Sequence, residues 1–160
     1  MEMKIIFLYN KIKTGGEDIS NSHWYGMPEM RSLGVDASFV EIEQYFPLFL
    51  CKFLRKIISI HWIHLLVFPK ILKSDVVITS TAYGTSFVCA LFGLSKPRWI
   101  IIDFNLAREF SIRKGLKLFA LKKTVKFVDG IVTISEEEKK LMKNLFPNKI
   151  NKNPAKEFLG

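Results

Sequence analysis

The stretch Val128-Asp129-Gly130-Ile131-Val132-Thr133-Ile134-Ser135-Glu136 decides the fold class. Residues 130–134 form a short apolar run rich in β-branched side chains, the pattern of a buried strand. Ser135, with Glu138 three residues on, is a capping box that opens a helix over residues 135–146. Working back along the chain, residues 115–128 carry Leu118, Leu121, Val125 and Val128 at helical spacing. Arg98–Asp103 reads as a strand, Tyr83–Phe92 as a helix closed by Gly93, and residues 75–79 as another strand. Strands alternating with helices predict parallel pairing through right-handed crossovers, hence an α/β, doubly wound parallel sheet.

The same alternation extends to the amino terminus. Residues 4–9 are a continuous apolar run followed by the polar, glycine-containing residues 10–18. Residues 17–33 show helical spacing through Ile19, Trp24, Met27 and Met30, with a bend expected at Gly26-Met27-Pro28. Leu33-Gly34 is a helix stop, and residues 35–42 form a second strand. In residues 45–68, Lys52, Arg55, Lys56 and Ser59 recur on one helical face beside Phe49, Phe53, Leu54, Ile57, Ile58 and Trp62. That predicts one long amphipathic helix or two shorter ones, ended by Pro69. Five strands result, in one domain over residues 1–150. Residues 151–160 read as the start of an interdomain linker or a truncated tail.

At 160 residues the chain suits one domain. Its 49% hydrophobic and 24% charged residues exclude disorder. Fourteen Phe and three Trp exceed what one core needs, which places some on a contact surface. Cys51 and Cys89 lie in apolar surroundings without metal-ligand spacing, which fits buried thiols in a reducing cytoplasm. A formal charge of +9 favours anionic partners. No signal peptide is read at residues 1–10, and the longest apolar stretch, residues 57–68, is too short and too interrupted for a membrane span. The expected location is cytoplasmic, with peripheral attachment to the inner face of a membrane open.

The element order alone fits a flavodoxin-like or a dinucleotide-binding domain. The local sequences narrow it. Lys4-Ile5-Ile6-Phe7-Leu8-Tyr9 followed by Thr14-Gly15-Gly16-Glu17, then Asp75-Val76-Val77-Ile78-Thr79-Ser80, Pro97 before Arg98–Asp103, and Val128 to Glu136 with Leu141 and Phe146-Pro147, occur in the order seen in one family. Together they resemble the N-terminal, Rossmann-like domain of GT-B-fold retaining glycosyltransferases of the family 4 type. The resemblance covers residues 3 to about 150. It implies the acceptor-side half of an enzyme that moves a sugar from a nucleotide-sugar to a saccharide or lipid-linked acceptor. Most donor contacts would come from a C-terminal domain or subunit not seen in this sequence, so this chain alone would bind no cofactor and be inactive. Where family members often carry a His after the fourth strand, this chain has Asp103-Phe104-Asn105.

Several residues are candidates for chemistry. Gly15-Gly16, between a strand and a helix, lets backbone amides approach a diphosphate, or is an ordinary turn. Ligands of open parallel sheets collect outside the strands' carboxyl ends, which gathers Asn10, Thr79, Ser80, Tyr83, Asp103, Asn105, Ser135 and Glu136 on one rim. Asp103 is either a base for an acceptor hydroxyl or a helix cap. Lys52, Arg55 and Lys56 form one basic cluster, and Arg113, Lys114, Lys117, Lys122 and Lys123 another. Either cluster is a solvated helix face or a contact for an anionic membrane or lipid-phosphate acceptor.

No metal site is read: His61 and His64 have no third ligand nearby, and His23 has no visible partner. Ser80, Ser86 and Cys89 lack a nucleophile-elbow context. Basicity without a nucleic-acid motif gives no nucleic-acid reading. The alternative class is a non-catalytic basic Rossmann-like module for membrane or partner binding. A flavin or receiver domain of flavodoxin type is weaker, because Asn10-Lys11 offers no acidic cluster after the first strand.

Overall fold

The computed structural model describes residues 3–8, 26–58, 62–80, 83–103, 106–133 and 135–147. Five strands, β1 (Lys4–Leu8), β2 (Asp36–Val40), β3 (Val76–Thr79), β4 (Arg98–Asp103) and β5 (Gly130–Thr133), form one sheet in the order β2-β1-β3-β4-β5, all parallel. The fold is the expected Rossmann-like α/β, with the strand order of the flavodoxin type.

Alternation of side chains across the pleat divides the core. Ile6, Leu8, Val40, Val77, Trp99 and Ile101 face one layer with Val67, Ile71 and Cys89. Ile5, Phe7, Ala37, Val76 and Ile78 face the other with Met27. Burial on both faces is why these strands read as continuous apolar runs rather than alternating ones.

Helices α1 (Met27–Ser32), α2 (Leu48–Ile57), α3 (Phe68–Ile71), α4 (Tyr83–Phe92), α5 (Leu106–Ile112), α6 (Gly115–Phe127) and α7 (Glu136–Leu145) complete the described residues, with 3-10 turns at Ile42–Gln44 and Ile63–Val67. Gly26, at φ 85°, caps the start of α1 and Pro28 sits in its first turn; the earlier part of the expected helix, residues 17–25 with Ile19 and Trp24, lies outside the described residues. One proline expectation needs correction: Pro69 lies in the first turn of α3 rather than ending the preceding helix. In both places the missing proline N–H removes a donor that would have had no intrahelical acceptor. The expected helical region 45–68 resolves into α2 and the separate 3-10 turn, the second of the two forms anticipated.

The stop at Leu33-Gly34 is a Schellman motif. Gly34 at φ 80° allows Val35 N–H to donate to Met30 O and Gly34 N–H to Arg31 O, both at 3.0 Å. In α6, Leu121 and Val125 are buried with the capping Val128, while Leu118 is only half-buried; Thr124 takes the remaining inward place.

Two aspartates fix the parallel register. Asp75 N–H donates to Lys4 O at 2.9 Å while its Oδ2 accepts from Lys4 N–H at 2.9 Å. Asp129 repeats this on the next pair of strands: its N–H donates to Trp99 O and its Oδ2 accepts from Trp99 N–H, each at 2.8 Å. Each clamp lies at the amino end of the sheet, opposite the edge where ligands collect. The aspartates in Asp75-Val76-Val77-Ile78-Thr79 and Val128-Asp129-Gly130-Ile131 therefore hold strands together. Asp129→Ala is expected to cost about 1.5–3 kcal/mol, the worth of a hydrogen bond to a charged group. Asp129→Asn keeps an acceptor and should cost less, which urea unfolding of the two variants would resolve.

Both cysteines are free and fully buried. Burial pushes the Cys89 thiol up to about 11, and burial followed by the Glu43 carboxylate raises that of Cys51. For Cys89 the folded state favours the neutral thiol. Its contribution is therefore complete below the ordinary value of 9.0 and is lost as pH rises from 9.0 towards 11. A disulfide reagent at neutral pH should leave both thiols unmodified in the folded chain and titrate both after unfolding. Fast native reaction of either would contradict their burial.

Candidate functional site

A cavity of about 320 Å3 opens between α4, α5 and α6. The first turns of α4 follow β3 and those of α6 precede the return to β5, so the cavity lies towards the carboxyl end of the sheet, the ligand-binding edge of such folds. Trp62, Tyr83 and Phe87 supply aromatic wall, Ala120, Leu121 and Thr124 of α6 the opposite wall, and Glu109, Arg113 and Lys117 the polar part.

The local sequence explains the opening. Gly84, in the first turn of α4, is buried and lines the cavity without a side chain, while its buried neighbours Thr85 and Ser86 do not line it. Thr124 Oγ1 donates to Tyr83 O at 3.5 Å and Ser86 Oγ donates to the same carbonyl at 3.0 Å, tying the start of α4 to α6. Trp62 meets Phe87 edge to face at 5.8 Å between ring centroids, and Phe87 meets Phe119 the same way at 6.5 Å. Successive perpendicular rings form a stiff apolar wall.

The polar side is charged. Arg113 Nε donates to Glu109 Oε2 at 2.6 Å, an i,i+4 pair whose side chains keep partial solvent access. Such a pair adds at most about 1 kcal/mol to stability, so its more consequential effect is to orient the guanidinium at the cavity. Lys117 is exposed and makes no ion pair among the described residues. Apolar walls with a few convergent polar groups are the usual make-up of a small-molecule site.

The structure brings Tyr83, Arg113 and Lys117 together in this cavity. Thr79 ends β3 and Asp103 ends β4 in register with Thr133; only the backbone of Asp103 is described. Asn10, Gly15, Gly16, Asn105, His23 and His61 lie outside the described residues. Ser135 caps α7, accepting from Glu138 N–H at 3.1 Å, but Glu138 Oε2 has no hydrogen-bond partner, so that oxygen does not return the bond. Glu136 is fully exposed and accepts from Lys139 at 2.9 Å, an interaction that lowers its carboxyl from the ordinary value. Neither residue lines the cavity.

The basic clusters also separate. Arg55 is drawn inward to Glu43 at 2.6 Å, leaving Lys52 and Lys56 as the exposed cations of α2. Lys114, Lys122 and Lys123 are exposed without lining the cavity. Trp62, Phe87, Glu109 and Thr124 line or brace the site without having been expected there. The surplus of aromatics was a signal for the first two, and no spacing marked the others. His64 is buried, and among the described residues no group of three His, Cys, Asp or Glu is placed to hold a metal ion. No described helix is long and apolar enough to cross a membrane.

Comparison with known protein families, curated proteins and solved structures finds no match to this chain.

Proposed function

We propose that the chain is the acceptor side of a sugar transferase and that the cavity between α4, α5 and α6 receives a phosphorylated saccharide, free or as a lipid headgroup. The observation that carries this reading is the pairing of an aromatic wall with Arg113 and Lys117 at the carboxyl end of the sheet. The C–H faces of a pyranose ring are apolar and pack on aromatic rings, while its hydroxyls find partners at the edge. Glu109 is placed to accept from such a hydroxyl, and the guanidinium and ammonium suit a phosphate. The sequence resemblance to GT-B glycosyltransferases supports the same assignment. On this reading a nucleotide-sugar donor is held mainly by a second domain, and transfer follows closure of the cleft between them. Residues 1–150 then form the acceptor-side domain, with residues 151–160 leading towards the second.

Calorimetric titration of the purified chain tests it. Glucose 1-phosphate is expected to bind, and uridine- and guanosine-diphosphate sugars to bind far more weakly. Tight nucleotide-sugar binding with none of the sugar phosphate would overturn the division of roles.

A further inference from the structure

We infer that the chain docks on an anionic lipid bilayer through α2 and the corner joining α5 to α6. Helix α2 satisfies the core with one side: Cys51 is fully buried, and Leu50 and Leu54 are half-buried. An amphipathic helix of a globular domain has one apolar stripe, facing inward. In this helix the apolar arc is wider than the core covers, and its outer rows stay in solvent. Phe49, Phe53 and Ile57 repeat at i, i+4 and i+8 and are 75%, 57% and 66% exposed. Lys52 and Lys56, one row over, are exposed beside them, and α2 contains no acidic residue.

The same combination recurs at the α5–α6 corner. Ile112 and Leu116 are 53% and 80% exposed. Lys114 and Lys117 project among them, next to Arg113 at the mouth of the cavity. Both segments belong to the carboxyl end of the sheet. Cys51 of α2 packs with Ile42 and Ile63, beyond the end of β2, and the corner lies between the end of β4 and the start of α6.

The occupant must be apolar and anionic at once. A second copy would bring the same cations against one another, which costs affinity. A nucleic-acid duplex offers phosphates but keeps its bases stacked inside, and a single strand can stack bases on Phe49 and Phe53 but leaves Ile57, Ile112 and Leu116 uncovered. An anionic bilayer offers acyl chains beneath a negative surface, the environment that suits a basic amphipathic helix lying in the interface. At ten residues, α2 is about 15 Å long, so it can lie in that plane but not cross it.

Cosedimentation of the full chain with vesicles tests this inference separately from saccharide binding, which the same preparation reports in solution. Vesicles of phosphatidylcholine with phosphatidylserine are expected to capture the chain, phosphatidylcholine alone not to, and capture to weaken with salt. Phe49→Ser with Phe53→Ser should lower partitioning roughly 10-fold or more. Lys52→Gln and Lys56→Gln should each lower it about 5-fold at low salt. All four positions are exposed, so circular dichroism should show the wild-type fold. No capture by phosphatidylserine vesicles, or capture indifferent to the Phe substitutions, would overturn the inference. So would a wild-type dimer on size exclusion that the Phe substitutions dissolve, because the stripe would then be covered by a second copy.

Discussion

Trp99→Ala is expected to lower the unfolding free energy by about 3–5 kcal/mol. Trp99 has no exposed surface and stands near the amino end of β4, beside Val77 of β3, packed in the layer that holds Ile6, Leu8, Val77, Ile101 and Cys89. Truncation removes the largest apolar side chain of that layer and leaves a cavity that rigid strands on either side cannot close. Since a domain is held by about 5–15 kcal/mol, this one change consumes a large part of the margin. The midpoint of thermal unfolding should fall by about 10 °C. Trp99→Phe should cost much less. The indole Nε1 has no hydrogen-bond partner of good geometry, with only the Cys89 thiol engaging it weakly, so Phe discards a buried donor along with the lost area. Calorimetry on both variants checks the pair, and a loss under about 1 kcal/mol for Trp99→Ala would mean that β4 is not central to the core.

Blocking the cavity gives the largest expected effect on binding. Ala120→Trp places a bulky ring from α6 into the space facing Tyr83 and Phe87, and should weaken glucose 1-phosphate about 100-fold or more by occupying the volume. Lys117→Ala should weaken it about 10-fold through the lost phosphate contact, and reduce the dependence of binding on salt. Lys117 is exposed, so its removal should change stability by no more than about 0.5 kcal/mol. That contrast separates a ligand contact from a fold contact. Arg113→Ala removes a cation and also frees Glu109, whose negative charge then faces the phosphate, so its loss should exceed that of Lys117→Ala. Titration calorimetry of the three variants would rank them, and equal affinity in all would remove the cavity from consideration.

The sheet was legible because its strands are buried on both faces. Residues such as Ile5 to Leu8 and Val76 to Ile78 have no solvent side, so their runs are apolar without interruption and hard to mistake. Helix punctuation was legible where it is local chemistry, as at Gly34, Gly93 and Ser135. Pro69 was harder because a proline closes one helix or opens the next with equal ease; the choice depends on which neighbouring helix packs.

The cavity is another matter. Trp62, Phe87, Glu109 and Thr124 come from four separate segments of the chain, and only the packing of α4 against α6 brings them together. The cavity residues Tyr83, Arg113 and Lys117 were reachable from sequence, two as members of a basic cluster and one from its place after a strand. The two clusters concealed a division of labour: Arg55 is used on Glu43, Arg113 on Glu109, and the remaining lysines face solvent. The motif aspartates teach the converse lesson. Asp75 and Asp129 sit in the most recognisable segments, and they hold strands at the edge away from the cavity.

The central claim is that the cavity between α4, α5 and α6 is the saccharide site. The most direct measurement is a solution NMR titration of the chain, uniformly nitrogen-labelled, with glucose 1-phosphate. Saturable shifts concentrated at the amides of Tyr83, Phe87, Arg113, Lys117 and Thr124 are the predicted result. Saturable shifts confined to Gly15 and Gly16, or to α2, with those amides unmoved, would contradict it.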